Sequence, residues 1–170
     1  MASENYTDAI ALLKADHRKV ENLFEQFEKA ASSSRKQKLA HEICTELKIH
    51  TLIEEEIFYP AFRGKIKDKT LDEAYVEHDG AKVLVNDIDA GSPDDDFYDA
   101  KVKVLSEEIR HHVHEEEMPS EGMFAQCRKA DVDLVALRDR MLARKKELMA
   151  KAKSAGLPLA RPAAVHLIAA

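Results

Sequence analysis

Two stretches of the chain carry the same arrangement of residues: IHTLIEEEIF at residues 49–58 and IRHHVHEEE at residues 109–117. In each stretch a glutamate follows a histidine by four residues, as Glu54 follows His50 and Glu116 follows His112. Residues four apart lie on one face of an α-helix. Each stretch therefore predicts a helix that presents an imidazole and a carboxylate side by side.

Apolar residues at steps of three and four extend both patterns and return in other parts of the chain. This periodicity is typical of helices that turn one face toward a bundle core. Ser34 is expected to cap the second helix, and Pro119 to stop the fourth. The predicted helices cover residues 6–30, 35–58, 68–89, 97–117 and 132–152.

The first and third predicted helices each carry a lone histidine, His17 and His78, within an apolar series. His17 precedes His50 by 33 residues, and His78 precedes His112 by 34, so the two halves of the chain resemble each other. At a rise of about 1.5 Å per residue, antiparallel helices with short turns bring the four histidines to nearly one level. The glutamates of the two repeated stretches then lie one turn to the same side of that level.

The composition agrees with a helical fold. Of 170 residues, 45% are hydrophobic and 34% are charged, with only five glycines and five prolines, which favours long helices over strands. We predict an all-α chain that forms an up-down-up-down four-helix bundle with an additional C-terminal helix. The predicted divisions are a bundle at residues 6–130, an appended C-terminal helix at 131–153 and a loosely attached tail at 154–170.

Charge and hydropathy argue against several classes of partner. The formal net charge is −6 and no basic cluster is present, so no nucleic acid is expected as a partner. No run of about 18 apolar residues exists, so no membrane partner is expected. The first eight residues are polar and acidic, unlike a signal peptide, and two cysteines are too few for a disulfide framework. These features predict a cytoplasmic protein.

Four imidazoles and two carboxylates are expected to converge inside the bundle. The candidate metal ligands are His17, His50, Glu54, His78, His112 and Glu116. The alternative is a buried polar network without metal, but two buried carboxylates with no Lys or Arg on the inward faces are costly. Imidazole and carboxylate without thiolate suit iron, manganese or zinc. Six ligands exceed the usual four of a structural zinc. Two ions bridged by the glutamates are therefore predicted, with positions left for a small ligand.

These motifs resemble the hemerythrin-like HHE cation-binding family over residues 9–129. The order of a lone His, His-x-x-x-Glu, a lone His and His-x-x-x-Glu is matched throughout. The residues that carry the resemblance are Asp16-His17 with Leu23-Phe24, residues 50–55 with Phe58 and Pro60, Glu77-His78, and residues 111–117. The resemblance implies a bound pair of iron ions, with iron favoured over manganese or zinc, and a small diatomic or peroxide ligand.

The resemblance also implies a function: a non-haem di-iron protein that binds or senses dioxygen, peroxide or nitric oxide, or that buffers iron. A peroxide- or nitric-oxide-consuming enzyme and a helical interaction module with structural metal are the alternatives, and no catalytic residue is assigned. The oxygen-carrying hemerythrins have a second histidine where Lys82 stands, and an aspartate where Glu117 stands. Reversible oxygen carriage is therefore not expected. Tyr75, one turn before His78, is a candidate for the missing ligand.

Side chains beside the proposed ligands are interpreted as surface groups, with the alternative that the histidines among them are outer partners of the ligands. His111 and His114 point about 100° and 200° away from His112 on a helical wheel. The flanking carboxylates are interpreted as a solvated face, with a role in holding imidazole N–H groups left open. They are Asp16, Glu55, Glu56, Glu77, Glu115 and Glu117. The apolar stripe of the C-terminal helix is expected to pack on the bundle, with a homo-oligomer or partner contact as the alternative.

Overall fold

The computed structural model describes residues 5–168, which form helices and connecting turns with no strand among them. The elements are α1 (Ala9–Lys29), α2 (Ser33–Ile53), a π-helical turn (Glu54–Phe58), α3 (Tyr59–Phe62), α4 (Asp68–Ala90), α5 (Tyr98–Glu117), α6 (Met123–Lys129) and α7 (Leu134–Ala155). The predicted all-α fold class is confirmed. The connector predicted after Pro119 contains the short helix α6.

The four long helices α1, α2, α4 and α5 form the bundle. Each packs against its neighbours in chain order, and α1 also packs against α5, which closes the ring. The helix beginnings follow from local hydrogen bonds, since Asp8 accepts the N–H of Ala11 at 2.9 Å and Ser32 accepts the N–H of Arg35 at 3.2 Å. The cap of α2 is therefore Ser32, and the prediction of Ser34 is wrong by two residues.

The interior is divided by a polar layer. One apolar cluster fills the end of the bundle that holds the start of α1, the end of α2 and parts of α6 and α7. A second cluster fills the opposite end, between the remaining halves of the four long helices. Buried histidines and glutamates lie between the two clusters. Apolar packing on both sides keeps water away from these polar groups, which strengthens the electrostatic interactions among them.

The second helix departs from α-helical geometry in its last turn. The backbone N–H of Tyr59 donates to the carbonyl of Glu54, five residues earlier, at the end of the π-helical turn. Pro60 follows at once and has no N–H with which to continue an α-helical ladder. Residues 35–58 are helical as predicted, but the last five, Glu54–Phe58, are π-helical. A π-turn rotates the residues that follow it, and it brings Tyr59 toward the face that carries Glu54.

The C-terminal helix α7 packs on the outside of α1, α2 and the π-helical turn. Leu137, Met141 and Leu148 are buried in the first apolar cluster. Arg144 forms an ion pair with Glu56 at 2.8 Å. The apolar stripe of this helix therefore packs on its own bundle, and the homo-oligomer through this helix stays a prediction.

The segment after α7 contacts α4. The carboxylate of Asp79 accepts the backbone N–H groups of Ala163, Ala164 and Val165 at 2.7–2.8 Å. Asn86 exchanges two hydrogen bonds with the backbone of Ala160. The division of the chain into bundle, appended helix and loose tail stays a prediction. Within residues 5–168, no helix has the length and apolar character needed to cross a membrane.

Substitution of alanine for glycine should have opposite effects on stability at two positions. A Cβ at Gly122 would lie 2.6 Å from the backbone N and O of Met118, whereas one at Gly80, inside α4, meets nothing within 4 Å. We expect Gly122→Ala to lower the free energy of unfolding by about 1–3 kcal/mol through overpacking. Gly80→Ala should raise it by about 0.5–1 kcal/mol through helix propensity. Urea unfolding measures both changes, and a stabilised Gly122→Ala variant would contradict the close approach.

Candidate metal centre

Four buried histidines face one another in two pairs within the polar layer. Nε2 of His17, on α1, lies 3.2 Å from Nε2 of His50, on α2. Nε2 of His78, on α4, lies 3.1 Å from Nε2 of His112, on α5. This spacing matches that of two neighbouring ligands on one ion, given metal–nitrogen bonds of about 2.1 Å.

The two glutamates lie between the histidine pairs. Oε2 of Glu54 is 3.2 Å from Nε2 of both His50 and His78. Oε2 of Glu116 is 3.3 Å from Nε2 of His17, and its Oε1 is 3.5 Å from Nε2 of His112. Each carboxylate therefore contacts one imidazole of each pair, and all six predicted residues come together in one cluster.

The donor set fits a bound cation. Within residues 5–168, no Lys or Arg forms an ion pair with Glu54 or Glu116, although both carboxylates are almost fully buried. Oε1 of Glu54 and Oε2 of Glu116 have no hydrogen-bond partner. Two carboxylates buried close together, each with one oxygen left without a hydrogen bond, are unfavourable. Metal ions held between the glutamates and the imidazole nitrogens would neutralise both carboxylates and use those oxygens.

Proton affinities inside the cluster show how strongly these groups interact. Burial by itself would lower the pKa of His50, but the charges of Glu54 and Asp16 outweigh burial and raise that pKa to about 10. The pKa of His78 is likewise raised to about 9 against its burial, through Glu54 and Glu55. Burial would raise the pKa of Glu54, yet the two imidazoles hold it well below its ordinary value.

A tyrosine that the sequence did not single out enters the cluster. The hydroxyl oxygen of Tyr59 lies 3.0 Å from Oε1 of Glu116, 3.2 Å from Oε2 of Glu54 and 3.2 Å from Nε2 of His78. Tyr75, the predicted candidate, instead donates to the backbone carbonyl of Glu55 at 3.3 Å. The sequence feature that could have indicated Tyr59 is Pro60, because proline interrupts α-helical hydrogen bonding. The sequence alone does not specify the π-turn that results.

Each imidazole also has an acidic partner at its outer nitrogen. Nδ1 of His17 lies 2.6 Å from Glu117, Nδ1 of His78 lies 2.9 Å from Glu55, and Nδ1 of His112 lies 2.7 Å from Glu77. Nδ1 of His50 is 3.6 Å from Oδ2 of Asp16, an ion-pair distance too long for a hydrogen bond. Such partners orient an imidazole and raise its basicity as a ligand.

These contacts change the interpretation of the flanking residues. Glu55 and Glu117 are not a solvated face, because each contacts a proposed ligand. Glu56 does lie on the surface, where it pairs with Arg144. Lys82, at the position where oxygen carriers have a second histidine, forms ion pairs with Glu55 at 2.7 Å and with Asp79 at 3.0 Å. It therefore supports the cluster from outside and does not enter it.

The fold and the donors together define a helical-bundle cation-binding domain. The chain belongs to the hemerythrin HHE cation binding domain family, whose model matches residues 8–127. Membership implies metal-ion binding, and the buried His and Glu clusters are consistent with it. The family resemblance stated from the sequence is thus confirmed.

Two known proteins are similar to this chain. The crystal structure of a hemerythrin HHE cation binding domain-containing protein from Mycobacterium kansasii has a TM-score of 0.72, is 23% identical, and is matched over 89% of this chain and 95% of its own. A curated protein of Nostoc sp. named DNA nickase is 29% identical over 106 residues. That match covers 62% of this chain but only 30% of the Nostoc protein. The Mycobacterium structure supports the fold alone.

The raised proton affinities make metal loading dependent on pH. His50 and His78 carry protons at pH 7 in the metal-free protein, because their pKa values are about 10 and about 9. Metal ions bind neutral imidazole, so loading at pH 7 should release one proton from each of these two residues. A pH-indicator dye in weak buffer measures the release, and loading without proton release would contradict these pKa values.

The same pKa shifts determine how the stability of the metal-free protein changes with pH. Both folded-state pKa values exceed the ordinary 6.5 of histidine. The contribution of these two groups to the free energy of unfolding is therefore complete below about pH 6.5 and is lost as the pH rises through 9 to 10.

Proposed function

We propose that this chain is a non-haem di-iron protein that binds or senses a small ligand such as dioxygen, peroxide or nitric oxide, or that buffers iron. The observation that supports it is the position of Glu54 and Glu116, each of which contacts one imidazole of both histidine pairs. A carboxylate in that position has an oxygen for each of two ions. The proposed ligands are His17, His50, Glu54, His78, His112 and Glu116.

The kinds of donor suit iron, manganese or zinc, and membership of the hemerythrin family favours iron among them. Imidazole, carboxylate and phenol are nitrogen and oxygen donors, and within residues 5–168 neither Cys44 nor Cys127 belongs to a group of clustered metal donors. Such a set suits first-row divalent ions and disfavours copper(I). Iron, when bound, supplies coordination positions at which a small ligand binds and a change of oxidation state that can report it.

Tyr59 is proposed as a seventh ligand on the side of His78. Its hydroxyl is fully buried and is within 3.2 Å of both carboxylates and one imidazole. Burial and the two glutamate charges keep the phenol protonated by raising its pKa well above the ordinary value. A metal ion reverses this local effect, because its charge favours the deprotonated donor.

The other candidate roles receive less support. The activity in the name of the Nostoc protein belongs to a chain of which only 30% is matched, and the net charge of −6 does not favour nucleic acid as a partner. Consumption of peroxide or nitric oxide at the same centre is the second candidate. Oxygen release on addition of peroxide to the iron-loaded protein distinguishes turnover from binding. A structural zinc in a helical interaction module would show no visible absorption.

Metal content tests the bridging role of the glutamates. The purified parent, loaded with Fe²⁺ without oxygen, should retain close to two iron ions per chain. Glu54→Gln and Glu116→Gln should each lose at least one ion, because the substitution removes a negative charge and a bridging oxygen. Glu56→Gln is the matched control, since it makes the same change at a surface residue paired with Arg144. Iron per chain is measured at matched helicity, and equal loss in all three variants would contradict the bridge.

A visible spectrum tests Tyr59. Phenolate bound to iron(III) gives a charge-transfer band in the visible region, so the oxidised, iron-loaded parent should be coloured. Tyr59→Phe should lose this band and retain its iron, whereas Tyr75→Phe should keep both, because the hydroxyl of Tyr75 bonds to a backbone carbonyl. A band that survives in Tyr59→Phe would exclude the tyrosine as a ligand.

A further inference from the structure

The four carboxylates at the outer imidazole nitrogens do not have equal surroundings. Three of them are neutralised by a basic side chain within ion-pair distance. The pairs are Arg18 with Glu117 at 2.6 Å, Lys82 with Glu55 at 2.7 Å, and Lys145 with Asp16. The fourth carboxylate, Glu77, forms no ion pair with Lys or Arg anywhere in residues 5–168.

Glu77 instead belongs to a cluster of three potential metal ligands at the surface. Its Oε1 lies 3.3 Å from Nε2 of His111, and the same nitrogen lies 3.3 Å from Oε1 of Glu115. The donor atoms of the three residues all lie within 4.8 Å of one another. Two carboxylates at this separation repel each other, and the side chain of His111 is 62% exposed. This surface cluster thus has surplus negative charge and open access to solvent.

We propose that Glu77, His111 and Glu115 form a surface site for a divalent cation, through which metal ions reach the buried centre. One imidazole and two carboxylates suit Fe²⁺, Mn²⁺ or Zn²⁺. Exposure leaves the remaining coordination positions to water, so the ion is held weakly and exchanges readily. The site is distinct from the buried cluster, but Glu77 connects the two, because its Oε2 contacts Nδ1 of His112 at 2.7 Å.

A small crevice lies beside both places. Its walls include Glu77 and Glu115 at the surface and His112 and Glu116 in the buried cluster. The crevice has a volume of about 10 Å³, which is about the space of one water molecule. A carboxylate of the surface cluster, Glu115, and one of the buried cluster, Glu116, therefore line the same small space.

A simple surface ion pair is the competing explanation for this cluster. It predicts that His111 and Glu115 contribute little to stability, as exposed pairs do, and nothing to metal uptake. A transit site predicts a change in the rates of uptake and release without a change in the final metal content. A site that is only passed through cannot alter the equilibrium between free ion and loaded centre.

The first experiment follows loading and rests on the proposed di-iron centre. Metal-free protein is mixed with Fe²⁺ under anaerobic conditions, and uptake is timed by stopped flow for the His111→Ala, Glu115→Gln variant and the parent. We expect uptake about tenfold slower in the variant, because an acidic entrance concentrates cations. Release to an iron chelator should slow by the same factor, and the final content should remain that of the parent. His114→Ala and Glu25→Gln, combined, are the control, since they remove the same groups from other exposed places.

The second experiment does not depend on the buried centre. Mn²⁺ is titrated into the same proteins and bound ion is counted by electron paramagnetic resonance. The parent and the control should bind one more weakly held ion than the His111→Ala, Glu115→Gln variant. Equal counts, or uptake rates equal to those of the control, overturn the transit site. A reduced iron content at an unchanged rate also overturns it, because these residues would then act on the centre itself. A parent that never retains two iron ions rejects the proposed function, and the manganese count still decides the surface site.

Discussion

Two carboxylates buried in the middle of a helical bundle require positive charge, and the rest of the structure depends on how that charge is supplied. Glu54 and Glu116 contact four imidazoles and no Lys or Arg in residues 5–168. Apolar clusters on both sides exclude water from them. In such surroundings an uncompensated charge costs several kcal/mol. The four histidines must therefore lie at the same height along the bundle, and this requirement fixes how the four long helices align along their axes.

The charges around the centre extend outward in layers. Each imidazole has an acidic partner at Nδ1, and three of those partners have a basic partner in turn. The basic residues come from α1, α4 and α7, so the helix added to the bundle also contributes to the electrostatics of the centre. Lys145 of α7 reaches Asp16, and through it the imidazole of His50. Glu77 has no such basic partner in residues 5–168, and for this reason we propose that the cluster around it attracts a cation.

Much of the fold and of the site could be predicted because both follow from local periodicity. Inward positions recur every three or four residues, and a constant rise per residue converts spacing along the chain into height in the bundle. The six buried residues of the cluster were therefore identifiable one by one. Predictions that needed more than periodicity were less accurate. The cap of α2 is Ser32, two residues before the predicted one, because three adjacent serines offer the same hydroxyl to the helix end.

The sequence by itself determined the helical class, the four inward faces and the donors that meet between them, because these depend on residue type and helical spacing. Only the tertiary structure decided which groups approach the donors from outside the regular pattern. Tyr59 enters because a π-turn ahead of Pro60 changes its direction. Glu55 and Glu117 hold imidazoles because neighbouring helices bring them within hydrogen-bond distance. Such contacts depend on the relative rotation of packed helices, a quantity that the spacing of residues along one helix does not contain.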